Sequence, residues 1–160
     1  MEALKIKLYQ NMANYRKELS YGYVQTYPLP TPSMVKGMAH YLLGLDKFEN
    51  LKISIQGNFK SISTNMQKII KFDRDPKSRP DNLYKVTIGS SLKTALHAVM
   101  FVDQIVDIEL LLHIAFQNQD LNCKLLNAVK EKTVILGRNE DIAFVDFKTF
   151  GNPLQIALLL

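Results

Sequence analysis

The chain has 160 residues, 47% of them hydrophobic and 22% charged, which excludes a disordered segment and suffices for one domain with a real core. Its single cysteine, Cys123, excludes an internal disulfide and fits a reducing compartment, and no run approaches the roughly 20 apolar residues of a membrane-spanning helix. The net charge of +5 is unevenly spread: residues 1–58 hold seven Lys/Arg against four Asp/Glu, residues 59–93 eight against three, and residues 94–160 five against eight. A basic first part and an acidic last part point to one face for a polyanion and another for a different partner.

"MEALKIKLYQ" opens the chain with Leu4, Ile6 and Leu8 alternating with Lys5, Lys7 and Tyr9, the period of a half-buried strand. The alternation and the early acid argue against a signal peptide, so a soluble cytoplasmic protein is expected. "TYPLPTPSMVKGMAHYLLG" follows, with Pro28, Pro30 and Pro32 holding the backbone extended. Ser33 stands where an N-cap belongs, Met34, Val35, Met38, Leu42 and Leu45 mark one helical face, and Gly44 supplies a stop. The spacing predicts a helix over 33–44, delivered by a stiff strut that presents its N-terminus as an anion site.

"LKISIQG" (51–57) is a second alternating strand, closed by Gly57. Residues 58–94 differ in kind: they are basic, carry turn chemistry at Asp75-Pro76 and Arg79-Pro80-Asp81, and flank that tip with strand-like pieces at 67–72 and 83–88. This reads as an inserted hairpin arm at about 59–93. The apolar stretch 95–116 fits a strand covered on both faces. A helix over 118–132, capped by Asn118 or Asp120, precedes a Gly137-Arg138 turn between two short strands. The order β, α, β, insertion, β, α, β is that of an α+β, ferredoxin-like (RRM-like) βαββαβ core, over residues 1–150. The apolar end 151–160, "LQIALLL" included, either pairs into the sheet, is covered by a partner, or marks a chain shortened relative to its relatives.

His40, His97 and His113 show no metal spacing, Cys123 lacks a C-x-x-C partner, and the glycine signatures of nucleotide binding are absent, so no metal or cofactor is expected. Asp103, Asp107 and Glu109 alternate with apolar residues as the polar side of a strand. Cations gather in several places instead. Arg16 and Lys17 follow the first strand, Ser33 and Lys36 sit in the first helical turn, and Lys60, Lys68, Lys71, Arg74, Lys77 and Arg79 line the arm. Phe59, Phe72 and Tyr84 are interleaved as stacking surfaces. Arg138 follows Gly137 at a tight turn whose N–H groups can face a phosphate.

"MEALKIKLYQNMANYRK", "QTYPLPTPSMVKGMAHYLLG", "VDIELLLHI" and "LGRNEDI" resemble, in that order, the CRISPR-associated Cas five family of the RAMP superfamily, most closely its type I-B branch. The resemblance runs from residue 1 to about 147. It implies a ferredoxin-like core with a protruding thumb, at one end of the Cascade surveillance complex, gripping the 5′ handle of the guide RNA in antiviral defence. It further implies contacts with the backbone subunit and the large subunit, target DNA reached only through the complex, and no membrane. Carried onto this sequence, the RNA-binding residues are Arg16, Lys17, Ser33, Lys36, Gly137 and Arg138, with the basic arm in place of the thumb. Members of the family are commonly longer, with additional strands.

Three mechanisms compete. In the first, a binding module without catalysis, splayed bases stack on Tyr or Phe while Lys and Arg hold phosphates. A second follows the type I-C branch, which resembles a metal-independent endoribonuclease processing precursor CRISPR RNA; such chemistry enlists Tyr9, His40 and His97, yet no Lys-His pair is present. The third is a protein-interaction scaffold using the acidic last third.

Overall fold

The computed structural model describes residues 2–20, 22–73, 83–89, 91–145 and 155–158. The elements in order are β1 (Glu2–Ala13), β2 (Tyr23–Val24), α1 (Pro32–Leu43), β3 (Leu51–Asp73), β4 (Leu83–Ile88), β5 (Ser91–Phe116), α2 (Gln119–Glu131), β6 (Val134–Ile135), β7 (Ile142–Val145) and β8 (Gln155–Leu158). Among the described residues the fold is α+β, with two helices and a sheet in which β3, β5, β1 and β7 lie side by side in that order, each pair antiparallel. Of the apolar end, the described residues Gln155–Leu158 form β8, which pairs antiparallel with Glu2–Lys5 of β1.

The alternation read from β1 is realised, with Leu4, Ile6 and Leu8 essentially inaccessible. They pack with Ile108, Leu110, Leu112, Ile114 and Phe116 of β5 and with Val35, Met38, Ala39 and Leu42 of α1 and Leu125, Ala128 and Val129 of α2. Each large aliphatic so buried contributes about 1.5–3 kcal/mol against leaving it in water. Only this face of β5 is closed. On the other, Glu109 is exposed and Leu111 and His113 are half-buried, so the expected double cover is absent there.

The first helix begins one residue before the expected start. Thr31, not Ser33, is the N-cap, its Oγ1 accepting from the Met34 N–H at 3.4 Å. Pro32 takes the first helical position, where a missing N–H costs nothing, and this pushes the cap back along the strut. Gly44 closes the helix in the left-handed region, φ 65°, as expected. The second helix takes the first of its two expected caps, Asn118.

Gly57 does not end its strand. β3 runs on without a break to Asp73 and pairs with β5 from Leu51↔Phe116 to Asp73↔Thr94. The strands of the basic segment are the core strands continued, and the piece at 67–72 belongs to β3. The piece at 83–88 is β4, which pairs with Ser91–Leu96 of β5. A Cβ on Gly57 would stand 2.7 Å from Leu110 Cδ2, 2.8 Å from the Glu109 carbonyl oxygen and 2.9 Å from Leu29 Cδ2. The glycine is there because the proline strut lies across the strand, with Leu29 seated over it.

Candidate nucleic-acid interface

Beyond the helices β3 and β5 form a ribbon, with β2 beside it in parallel on β5. One cross-strand row reads Tyr23, Phe101, Met66, and all three are exposed, by 39%, 55% and 68%. The next row on the same face pairs Val99 with Lys68, and the row on the other side pairs Asp103 with Thr64. Alternate residues Met100 and Val102 turn the other way and are buried with Val24. The ribbon thus presents a strip of aromatic and aliphatic side chains beside a lysine.

The loop carrying Arg16 and Lys17 is tied to this ribbon. Arg16 bridges Thr26, and its Nη2 donates to the Ser20 carbonyl oxygen at 3.0 Å. Lys17 Nζ lies 5.6 Å from the centre of the Tyr27 ring, and Tyr27 donates to Glu18, which lowers the pKa of that carboxyl and raises that of the phenol. Asn14 Nδ2 donates to the Asp103 carbonyl oxygen at 2.6 Å, and the Asp103 carboxylate accepts from Tyr23 and, at 2.7 Å, from Thr64.

Asp141, 2% exposed, joins loop and turn. Its Oδ2 accepts from the Asn14 N–H at 3.0 Å and the Arg138 N–H at 2.8 Å, and both oxygens take the Arg138 guanidinium, Nε at 3.2 Å and Nη2 at 2.9 Å. Gly137 has φ 116°, and a Cβ there would lie 2.7 Å from Asp141 Oδ2, so only glycine fits. Behind it Gln10 Nε2 donates to the carbonyl oxygens of Leu136 and Asp141, while Gln10 Oε1 accepts from the Tyr15 hydroxyl at 2.5 Å. Burial, with Asp141 nearby, pushes the Tyr15 phenol well above its ordinary range. The turn N–H of Arg138, expected to face a phosphate, is spent on Asp141 instead.

The other expected residues fall elsewhere. Ser33 is exposed on α1, and Lys36 is drawn aside with its Nζ 5.6 Å from the Phe48 ring centre. Lys60 pairs with Asp107 at 3.6 Å; Asp107 also accepts from Tyr9 at 2.8 Å, which raises the Tyr9 pKa, and has φ 51° in mid-strand. Phe59 is half-buried against the core. Lys71 sits on β3 opposite Leu96. Arg74, Lys77 and Arg79, and the side chains of Lys71, Phe72, Tyr84 and His97, lie outside the described residues.

His40 has both ring nitrogens engaged. Nδ1 lies 2.8 Å from the Lys36 carbonyl oxygen and so donates to it, while Nε2 accepts from the Glu49 N–H at 3.0 Å. Tyr9 alternates with buried Leu8 and points away from the helices, so it and His40 do not converge. Burial, with Lys5 nearby, lowers the His113 pKa. Among the described residues no group of three or more His, Cys, Asp or Glu is arranged to hold a metal ion, and no helix is long and apolar enough to cross a membrane. Sequence reasoning missed Tyr23, Met66 and Phe101, and also Tyr41. That side chain is 69% exposed beside a groove of about 510 Å³ lined by Met34, Gly37, Met38, Ile135, Gly137 and Asn139. The alternation of Val99, Phe101 and Asp103 with Met100, Val102 and Gln104 was the available signal.

No curated protein matches the chain. A solved structure titled "CRISPR RNA-guided surveillance complex" is similar in fold, with a TM-score of 0.59 at 15% identity over 88% of this chain and 59% of its own. The chain therefore spans less than two thirds of that relative's length. Residues 3–146 match the family described as "CRISPR-associated protein (Cas_Cas5)". Since that match takes in nearly all of the chain, the protein belongs to the CRISPR-associated Cas5 family.

Proposed function

We propose that this protein is a non-catalytic, cytoplasmic RNA-binding subunit of a type I CRISPR surveillance complex, of the I-B kind, that grips the 5′ handle of the guide RNA. The family membership supports a place in a CRISPR complex, and the structural relative's title is consistent with one. The observation that carries the RNA reading is the ribbon row Tyr23, Phe101, Met66 with Lys68 in the next row and the Arg16–Lys17 loop tied alongside. Exposed π-faces beside cations suit unpaired bases and their phosphates, since every base has a face to stack and every linkage a charge to neutralise. The order β7-β1-β5-β3, with a helix after its first and third chain-order members, supports a ferredoxin-like core whose thumb is the ribbon. Engagement of both His40 nitrogens, and the divergence of Tyr9 from it, favour binding over cleavage. The partners are the guide RNA, the backbone subunit and the large subunit, with target DNA met only through the complex.

The test is incubation of purified protein with labelled repeat RNA in EDTA, read on denaturing and native gels. Intact RNA that shifts on the native gel, and shifts less at high salt, supports the grip. A discrete cut at the base of the repeat hairpin overturns the non-catalytic reading, and protein that ignores the RNA overturns the grip itself.

A further inference from the structure

The geometry points to Arg138 as a positioning residue, a strut between the core and the ribbon rather than a ligand of phosphate; this rests on the RNA-grip reading only for its consequence, not for its geometry. The Arg138 side chain is 21% exposed. Its Nε and Nη2 hold the two oxygens of Asp141, and Nη1 donates to Gln67 Oε1 at 3.0 Å and lies 3.1 Å from Glu140 Oε1. Two carboxylates thus surround one guanidinium, so the site as a whole is anionic. An incoming phosphate would have to displace a two-point, charge-assisted contact while approaching a like charge.

What the guanidinium joins is informative. On one side Asp141 is fixed from several directions: by the Asn14 N–H, by the closeness of Gly137, and through its carbonyl oxygen by Gln10, itself held by Tyr15. On the other side Gln67 lies on β3 past the helix-covered core, opposite Met100 and next to Lys68. An unbroken line of hydrogen bonds therefore runs from β1 through Gln10, Asp141 and Arg138 to the ribbon. A narrow ribbon, such as the two-stranded stretch around Gln67↔Met100, twists more strongly than a wide sheet. A tether at Gln67 sets the direction in which Lys68, Met66 and Phe101 face.

The test needs a ruler that does not depend on RNA. The native Cys123 is exposed on α2, and Ile70, 55% exposed on β3, accepts a second label as Ile70→Cys. Spin labels on the pair report the core-to-ribbon distance by pulsed electron resonance. Gln67→Ala, which leaves the Asp141 contacts in place, is expected to broaden that distribution, and Gln67→Glu, which restores an acceptor, to keep it narrow. Arg138→Lys, unable to span both partners, is expected to broaden it with the protein still folded by thermal melt. An unchanged distribution in both Gln67→Ala and Arg138→Lys overturns the strut. With handle RNA, Gln67→Ala should bind roughly threefold to tenfold more weakly at an unchanged slope of log affinity against log salt. A slope reduced by about 0.7 in Arg138→Gln marks a direct phosphate contact and overturns the positioning role. If no variant, nor the parent, binds RNA, the grip reading fails while the distance measurement still decides the strut.

Discussion

The two halves of the β3–β5 ladder use the same kinds of residue to opposite ends. From Leu51↔Phe116 to Phe59↔Ile108 the pair forms the floor of the core, with Ile108, Leu110, Leu112, Ile114 and Phe116 at most 1% exposed. From Ser61↔Val106 outward the same two strands carry Val99, Phe101, Met66 and Ile70 at 55% or more exposure. Apolar content does not separate the halves. What separates these residues is cover: α1 and α2 pack over the first set, Val24 of β2 buries Met100 and Val102 on one face of the outer half, and Val99, Phe101, Met66 and Ile70 point away into solvent. An apolar strand residue is structural where another element covers it and is available for binding where none does, so the same pattern has two meanings along one strand.

Mutations sharpen that contrast. The largest effect is expected at the covered end: Leu112→Ala should cost roughly 2–5 kcal/mol in urea unfolding, because the cavity under the helices cannot fill. Asp141→Ala, at the junction, should cost about 3 kcal/mol by the same measurement, since it strands the Asn14 and Arg138 donors. Gly57→Ala should cost about 1–3 kcal/mol, read from the same melts, as Leu29 and Leu110 are forced aside. On the outer face His113 has a pKa below its ordinary 6.5. The unfolded chain then binds that proton more readily, so this contribution to stability is intact above about pH 6.5 and is lost as pH falls through the folded value. His113→Gln should flatten stability-versus-pH curves in that window. Smallest of all, Val99→Thr on the bare ribbon should stay within about 0.5 kcal/mol of the parent, and a loss of several kcal/mol there would show that the ribbon is covered after all.

The sequence carried the covered half well. Leu4, Ile6 and Leu8, the Gly44 stop and Asn118 as one of two candidate caps all follow from local period and cap chemistry, which need no knowledge of distant residues. The bare half was less legible. Gly57 looked like a terminator because glycine commonly ends a strand, and only the crossing of Leu29 gives the true reason for it. The Gly137-Arg138 turn looked open to a phosphate because Asp141, three residues on, is indistinguishable in sequence from a solvated acid. Its burial comes from Asn14 and Gln10, over a hundred residues away in the chain, and no period encodes that. Thr31 displaced Ser33 for a nearer reason: proline fits the first helical position, so the cap must precede Pro32.

The crossing at Gly57 also bears on how the long ladder avoids assembling wrongly. A slide of β3 along β5 by two residues keeps every side chain on its own face, so the hydrophobic pattern offers no protection against it. Such a slide would bring Ile55 or Phe59 to the place where Leu29 and Leu110 leave no room for a Cβ, and it would part Lys60 from Asp107. The proline strut therefore acts as a proofreader of strand alignment. It admits one residue type, and β3 offers that residue only at position 57.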